Sequence, residues 1–168
     1  MFKNAGDGQD KLRRILRAYS LYDEEVGYCQ GLGFITAMFL TYMPEEQTFW
    51  QVVGMMTEGP CKMRTMYEQG MPGAQRALYV GEKLIKKFFP KLTAHFNHQN
   101  CHISMYATQW FMCIFTNSFP FDLVTGVWDV FLKEGWKIVY RIILTFVKYS
   151  APRLFKLDFE GIMFFFKR

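Results

Sequence analysis

The 168 residues are 51% hydrophobic and 18% aromatic, enough apolar material for one domain that buries most of the surface its unfolded chain exposes. Disorder is excluded, because 21% charge beside eighteen Phe and eleven Met is the opposite of a disordered composition. The net charge of +5 suits an acidic partner or an anionic surface, but no basic run exceeds two residues and no nucleic-acid-binding motif occurs, so nucleic acid is not an expected partner.

Residues Met1 to Gly8 read as a lead-in with turn and cap chemistry. Helical spacing of Leu12, Ile15, Leu16 and Tyr19 predicts a first helix from about Gln9 to Tyr22. A polar hinge, Asp23 to Gly27, leads into an almost wholly apolar helix from about Tyr28 to Tyr42, which must be buried. Pro44 fits the first turn of a third helix, where Glu45 and Glu46 favour the positive end and Phe49, Trp50, Val53 and Met56 point inward.

Thr57 to Gly73, broken by Gly59-Pro60, Gly70 and Pro72, reads as a mobile connection with one short helical turn around Lys62 to Tyr67. Helices are then predicted over Ala74 to Phe89, Ser104 to Thr116, Phe121 to Lys133 and Trp136 to Tyr149. Ser150-Ala151-Pro152 reads as a break, and Asp158 as the N-cap of a last helix from Phe159 to Lys167. No period-2 strand or internal repeat stands out. The expected fold class is all-α, one domain over residues 1–168 with roughly eight helices, given usual helix and loop lengths. The run Phe164-Phe165-Phe166 at the end reads as a helix stopped in mid-course.

Four scattered cysteines without a CxxC pair predict free thiols in a reducing compartment. The longest apolar stretch, Ile138 to Tyr149, carries Arg141 and Lys148 and is too short to span a bilayer. With no signal core behind Met1, the expected location is cytoplasmic.

Three places carry polar groups suited to chemistry. Gln30 lies where the hinge becomes a helix, between Gly27 and Gly31, which let a partner backbone approach closely. Its carboxamide both donates and accepts, so it can hold a water molecule or a main-chain group. His95, His98, Cys101 and His102 bring four metal-ligand types into eight residues, but Asn97 to Asn100 reads as a turn, and the expectation is a polar connection without metal. Asp129, beside Trp128 on an apolar helix, reads as a buried carboxylate anchored by a partner. Cys29 has nothing basic nearby in sequence to activate it.

Several segments in order carry a resemblance. AYSLYDEEVGYCQG with MPEEQTFW, then Tyr106-Ala107-Thr108-Gln109-Trp110-Phe111, Val127-Trp128-Asp129 with Gly135, and Asp158-Phe159-Glu160-x-Ile162-Met163 resemble the TBC domains that activate Rab-type small GTPases. The similarity runs from about Gly6 to Met163. It implies an all-α TBC domain, truncated at both ends, acting in trans on a GTP-bound Rab-family GTPase. Gln30 would be the glutamine finger of a Tyr-x-Gln motif, with Tyr28 and Gly31 on the partner-binding surface. The domain would need no cofactor or metal of its own, since Mg²⁺ and GTP belong to the partner. It would reach membranes through that partner.

The family's arginine finger belongs to an Ile-x-x-Asp-x-x-Arg motif upstream of the segment matching Met1 to Gly8, and no such motif occurs in this sequence. An arginine finger is typically worth about 10³–10⁵ in rate, so without one the enhancement should be strongly reduced. Arg13, Arg14 and Arg17 lie too late in the chain and read as a solvated face. The alternative is a Rab-binding or scaffold module that accelerates nothing. A membrane-held adaptor would show a basic amphipathic surface helix, and no stretch of the sequence stands out as one.

Overall fold

The computed structural model describes residues 5–167, and among them there are nine α-helices, one 3-10 turn and no strand. Three helices open the chain: α1 (Ala5–Tyr22), α2 (Leu32–Leu40) and α3 (Glu45–Thr57). They pack on one another pairwise, and α2 also rests on α6. The 3-10 turn (Met63–Met66) leads to α4 (Pro72–Phe88) and α5 (Pro90–His98), then α6 (Ser104–Cys113), α7 (Phe121–Glu134), α8 (Trp136–Leu154) and α9 (Phe159–Lys167). Helix α6 is central, touching α2, α4 and α9.

Several helix starts are written in the sequence. Pro72 and Pro90 occupy first-turn positions, where a missing N–H costs nothing. Glu45, Glu46, Asp122 and Glu160 sit in first turns, against the positive end of the backbone dipole. As expected, Asp158 caps α9, its Oδ1 accepting the Gly161 N–H at 2.9 Å.

The core is aromatic around Trp110. Phe166 stacks on Tyr106 at 4.2 Å between centroids and meets Trp110 edge-on at 5.4 Å. Phe39 and Phe131 flank the Trp128 indole, whose N–H donates to Thr116 at 3.2 Å.

Several boundaries differ from the sequence expectations. Helix α1 is already formed at Ala5, while residues 1–4 of the expected lead-in lie outside the described residues. The ninth helix, α5, fills what reads as a connection, because Pro90 starts a helix as readily as it stops one. The second helix begins at Leu32, not Tyr28, leaving Tyr28 and Gln30 in the preceding turn. On α3 the buried face is Thr48, Val52, Met55 and Met56; Trp50 points outward and meets Tyr22 and Phe49 edge-on. Helix α6 stops at Cys113 because Ile114 and Phe115 adopt left-handed φ of 44° and 63°, both fully buried. Helix α8 runs through the expected break to Leu154, since Pro152 falls in its last turn and removes only one bond where the ladder is ending.

The segment expected to be a mobile connection is instead packed into the core through Met63, Met66 and Tyr67, all buried. Gly73 makes this possible: a Cβ there would lie 2.4 Å from Thr65 Oγ1 and 2.8 Å from the Thr65 carbonyl carbon, so only glycine lets α4 start against the 3-10 turn.

Candidate functional site

The hinge between α1 and α2 is built around one carboxylate. Asp23 Oδ1 accepts the Val26 N–H at 3.3 Å, and Oδ2 accepts the Tyr19 hydroxyl at 3.2 Å. Arg64, from the 3-10 turn, donates to both oxygens, Nε at 2.9 Å and Nη2 at 3.0 Å, and also pairs with Glu25 and Glu68. The Arg64 guanidinium and the N–H of Val26 hold the Asp23 carboxyl below the usual range, outweighing its burial. Burial, with Asp23 adjoining, keeps the Tyr19 hydroxyl protonated. Arg64 is itself held firmly protonated by Asp23 and Glu25.

Beyond the hinge, Tyr28 and Gln30 are both exposed. Tyr28, 62% exposed, borders a shallow groove of about 310 Å³ along α1 with Leu12, Leu16 and Arg17. Tyr28 therefore lies at the surface and not in the core. Gln30 precedes the first residues of α2, with its side chain toward solvent and its backbone in a turn.

The floor beneath Gln30 comes from α6. Gly31 is buried with φ +110°, a region that favours glycine, and a Cβ on it would sit 3.2 Å from Cys113 Sγ. The Cys113 thiol donates to Gln109 Oε1 at 3.4 Å and lies 3.9 Å from the Gly31 carbonyl oxygen. Tyr67, buried beneath the same strip, donates its hydroxyl to the Met112 carbonyl. Burial pushes the Cys113 thiol up to about 12 and the Tyr67 hydroxyl well above its ordinary value, so neither ionises near neutrality. Cys29 is also raised by burial and is no nucleophile. The result is a neutral carboxamide projecting from a backbone fixed on two sides, by Arg64–Asp23 before it and by Gly31–Cys113 after it.

The other sequence candidates separate from this site. His95 Nε2 lies 3.1 Å from the Leu154 carbonyl and 3.0 Å from that of Leu157; both can only accept, so the imidazole N–H caps the end of α8. His98 and His102 are exposed, Cys101 is buried, and no cluster able to hold a metal ion occurs among the described residues. Asp129 corrects an expectation: it is exposed, at the rim of a cavity of about 380 Å³ with Gln51 and Trp128, so it needs no buried partner. Its helix turns only Val124, Val127, Trp128 and Phe131 inward. Of the α1 arginines, Arg14 forms a two-point bond to Glu45 at 2.7 and 2.8 Å, and Arg13 pairs with Asp10.

With this geometry in view, residues 1–155 match the family profile described as the Rab-GTPase-TBC domain. The chain belongs to that family. It is 38% identical over 161 residues to the human ecotropic viral integration site 5 protein homolog, covering 96% of this chain and 20% of that protein. It is 37% identical over 165 residues to the Rab GTPase-activating protein tbc-11 of Caenorhabditis elegans, covering 98% of this chain and 18% of that one. The chain thus spans about a fifth of the length of these relatives. Among solved structures, the Chlamydomonas flagellar RabGAP TBC domain superposes with a TM-score of 0.82 at 30% identity, over 97% of this chain and 54% of that one. The Ypt/Rab-GAP domain of Gyp1p has a TM-score of 0.83 at 22% identity, over 99% and 60%, and shows the same fold.

Arg64, Tyr67 and Cys113 are the TBC-domain residues that sequence reasoning missed as supports of this site. The signal available was charge: a lone arginine between Met63 and Met66 in a segment that otherwise lacks periodicity, facing the acidic run Asp23-Glu24-Glu25.

Proposed function

We propose that this TBC domain stimulates GTP hydrolysis by a GTP-bound Rab-family GTPase, with Gln30 entering the partner's nucleotide site in trans. The observation that carries the reading is the exposed Gln30 carboxamide on a turn held by Arg64–Asp23 and Gly31–Cys113. In-line hydrolysis needs an oriented water, and a fixed neutral amide can accept from the water while donating to the partner backbone. Tyr28 contributes exposed surface beside it, and Gly31 shapes that surface from beneath through its backbone. Mg²⁺ and GTP are the partner's, and the domain acts in the cytoplasm or on the membrane that carries the partner.

A second reading, binding without acceleration, draws on the arginines nearby. Arg14 is bound by Glu45, Arg13 by Asp10, and Arg64 by three carboxylates, so none of these is free to serve as a second finger. Single-turnover hydrolysis across a Rab panel separates the two readings. It compares this chain, its Gln30→Ala variant, and a longer form extended upstream to include any Ile-x-x-Asp-x-x-Arg segment. Acceleration by the longer form that Gln30→Ala abolishes supports the activator; complex formation without acceleration by any form supports the binding module.

A further inference from the structure

Helix α4 turns Ala74, Ala77, Gly81 and Ile85 into the core. On its other side, at the same steps of three and four residues, stand Arg76, Tyr79, Lys83, Lys86 and Lys87, all exposed. The row covers about 16 Å of helix at 1.5 Å per residue. Lys91 adds another exposed cation at the start of α5.

None of these five cations forms an ion pair among the described residues, whereas Lys11, Arg13, Arg14, Arg64 and Arg141 each do. Glu82, the only carboxylate of α4, is exposed on the flank and leaves them unpaired. One aromatic ring, Tyr79, stands among the charges. Lys83 Nζ lies 5.1 Å from the centre of the Tyr79 ring, which is 60% exposed. Phe88, at the helix end, continues the core-side row after Ile85 and does not belong to this face. The negative end of the helix accounts for Lys86 and Lys87 in the last turn, but not for Arg76 and Lys83 further up.

We propose that this face of α4 docks on an anionic lipid surface. Unpaired basic side chains at helical pitch, with the exposed Tyr79 ring among them, match a plane of negative headgroups over an apolar layer. An acidic protein segment would satisfy the charges but leave the amphipathic Tyr79 ring without an interfacial layer to enter. The sequence alone did not single this helix out, because the cations become one face only once the buried side is known. The inference does not depend on the GTPase reading.

The test is co-sedimentation of the chain with phosphatidylcholine vesicles with and without phosphatidylserine, at rising salt. Association only with phosphatidylserine, weakening with salt, is expected. K83E/K86E/K87E should weaken it by more than about 100-fold, since loss of the three basic residues alone is worth about five-fold each and the reversed charges add repulsion. K133E/K137E/K148E, the same charge change at exposed sites on α7 and α8, should weaken it only several-fold. If far-UV circular dichroism shows the first variant misfolded, K83Q/K86Q/K87Q replaces it, with a smaller loss in the same order. Absence of association, equal losses in both triple variants, or capture of polyglutamate without vesicle binding would each overturn the proposal.

Discussion

Arg64 and Asp23 lie 41 residues apart in sequence and are joined by two parallel hydrogen bonds of 2.9 and 3.0 Å. The fork fixes the hinge that delivers Gln30, and the arginine comes from a segment whose other anchors, Met63, Met66 and Tyr67, are core residues. Packing of the 3-10 turn and direction of the turn that carries Gln30 are therefore one relationship. Replacing Arg64 by alanine should lower Rab activation by about 10- to 100-fold, the scale on which small misplacements of a reacting group act. Arg64→Lys, which cannot reproduce the two-point geometry, should fall between. Single-turnover rates at saturating domain check this: the loss should appear in the maximal rate more than in the concentration needed.

Asp23 also sets a pH dependence. Its carboxyl is held below its ordinary value of 3.8 in the folded chain, so the stabilisation it gives is fully present above that value. As pH falls through the lower folded value, the stabilisation is lost. Urea unfolding between pH 7 and about 2.5 should show stability falling in the acid range, with Asp23→Asn less stable at neutrality and less steep in acid.

Gly31→Ala combines a φ of +110° with a Cβ 3.2 Å from Cys113 Sγ. A cost of about 1–3 kcal/mol is expected, the usual range for a strained backbone at a close contact. Gly31→Ala with Cys113→Ala should recover only part of it, since the second change relieves the contact but not the φ. Chemical denaturation of Gly31→Ala, Cys113→Ala and the double variant reads this directly.

At the other end of the chain, Asp158→Ala should cost about 1 kcal/mol through loss of the α9 cap. Phe166→Ala, which empties the place beside Tyr106 and Trp110, should cost about 3–5 kcal/mol. Neither residue belongs to the Gln30 site, so hydrolysis measured at temperatures where both variants remain folded should be unchanged.

The helical class, the burial of the second helix and the Asp158 cap were legible because they depend on local periodicity and side-chain chemistry. Gln30 was legible as a residue but not as a geometry. Its support comes from Arg64 and Cys113, far along the chain, and no local pattern announces contacts at that separation. Proline misled twice for opposite reasons: Pro90 starts α5, and Pro152 is tolerated in the last turn of α8. Asp129 and Trp50 were assigned inward because their neighbours are apolar, whereas the phase of each helix is set by its packing partners. Left-handed Ile114 and Phe115 were illegible, since β-branched and bulky residues rarely adopt that region without tertiary constraint.

The central claim is that Gln30 acts on a partner's nucleotide, and one comparison tests it most directly. A Rab GTPase loaded with GTP is mixed with the upstream-extended domain or with its Gln30→Ala variant, and both phosphate release and complex formation are followed. The account predicts that the variant still binds the GTP-bound partner while acceleration falls by at least 100-fold, the loss expected when a water-orienting group is removed from an in-line displacement. Undiminished acceleration by Gln30→Ala would contradict it.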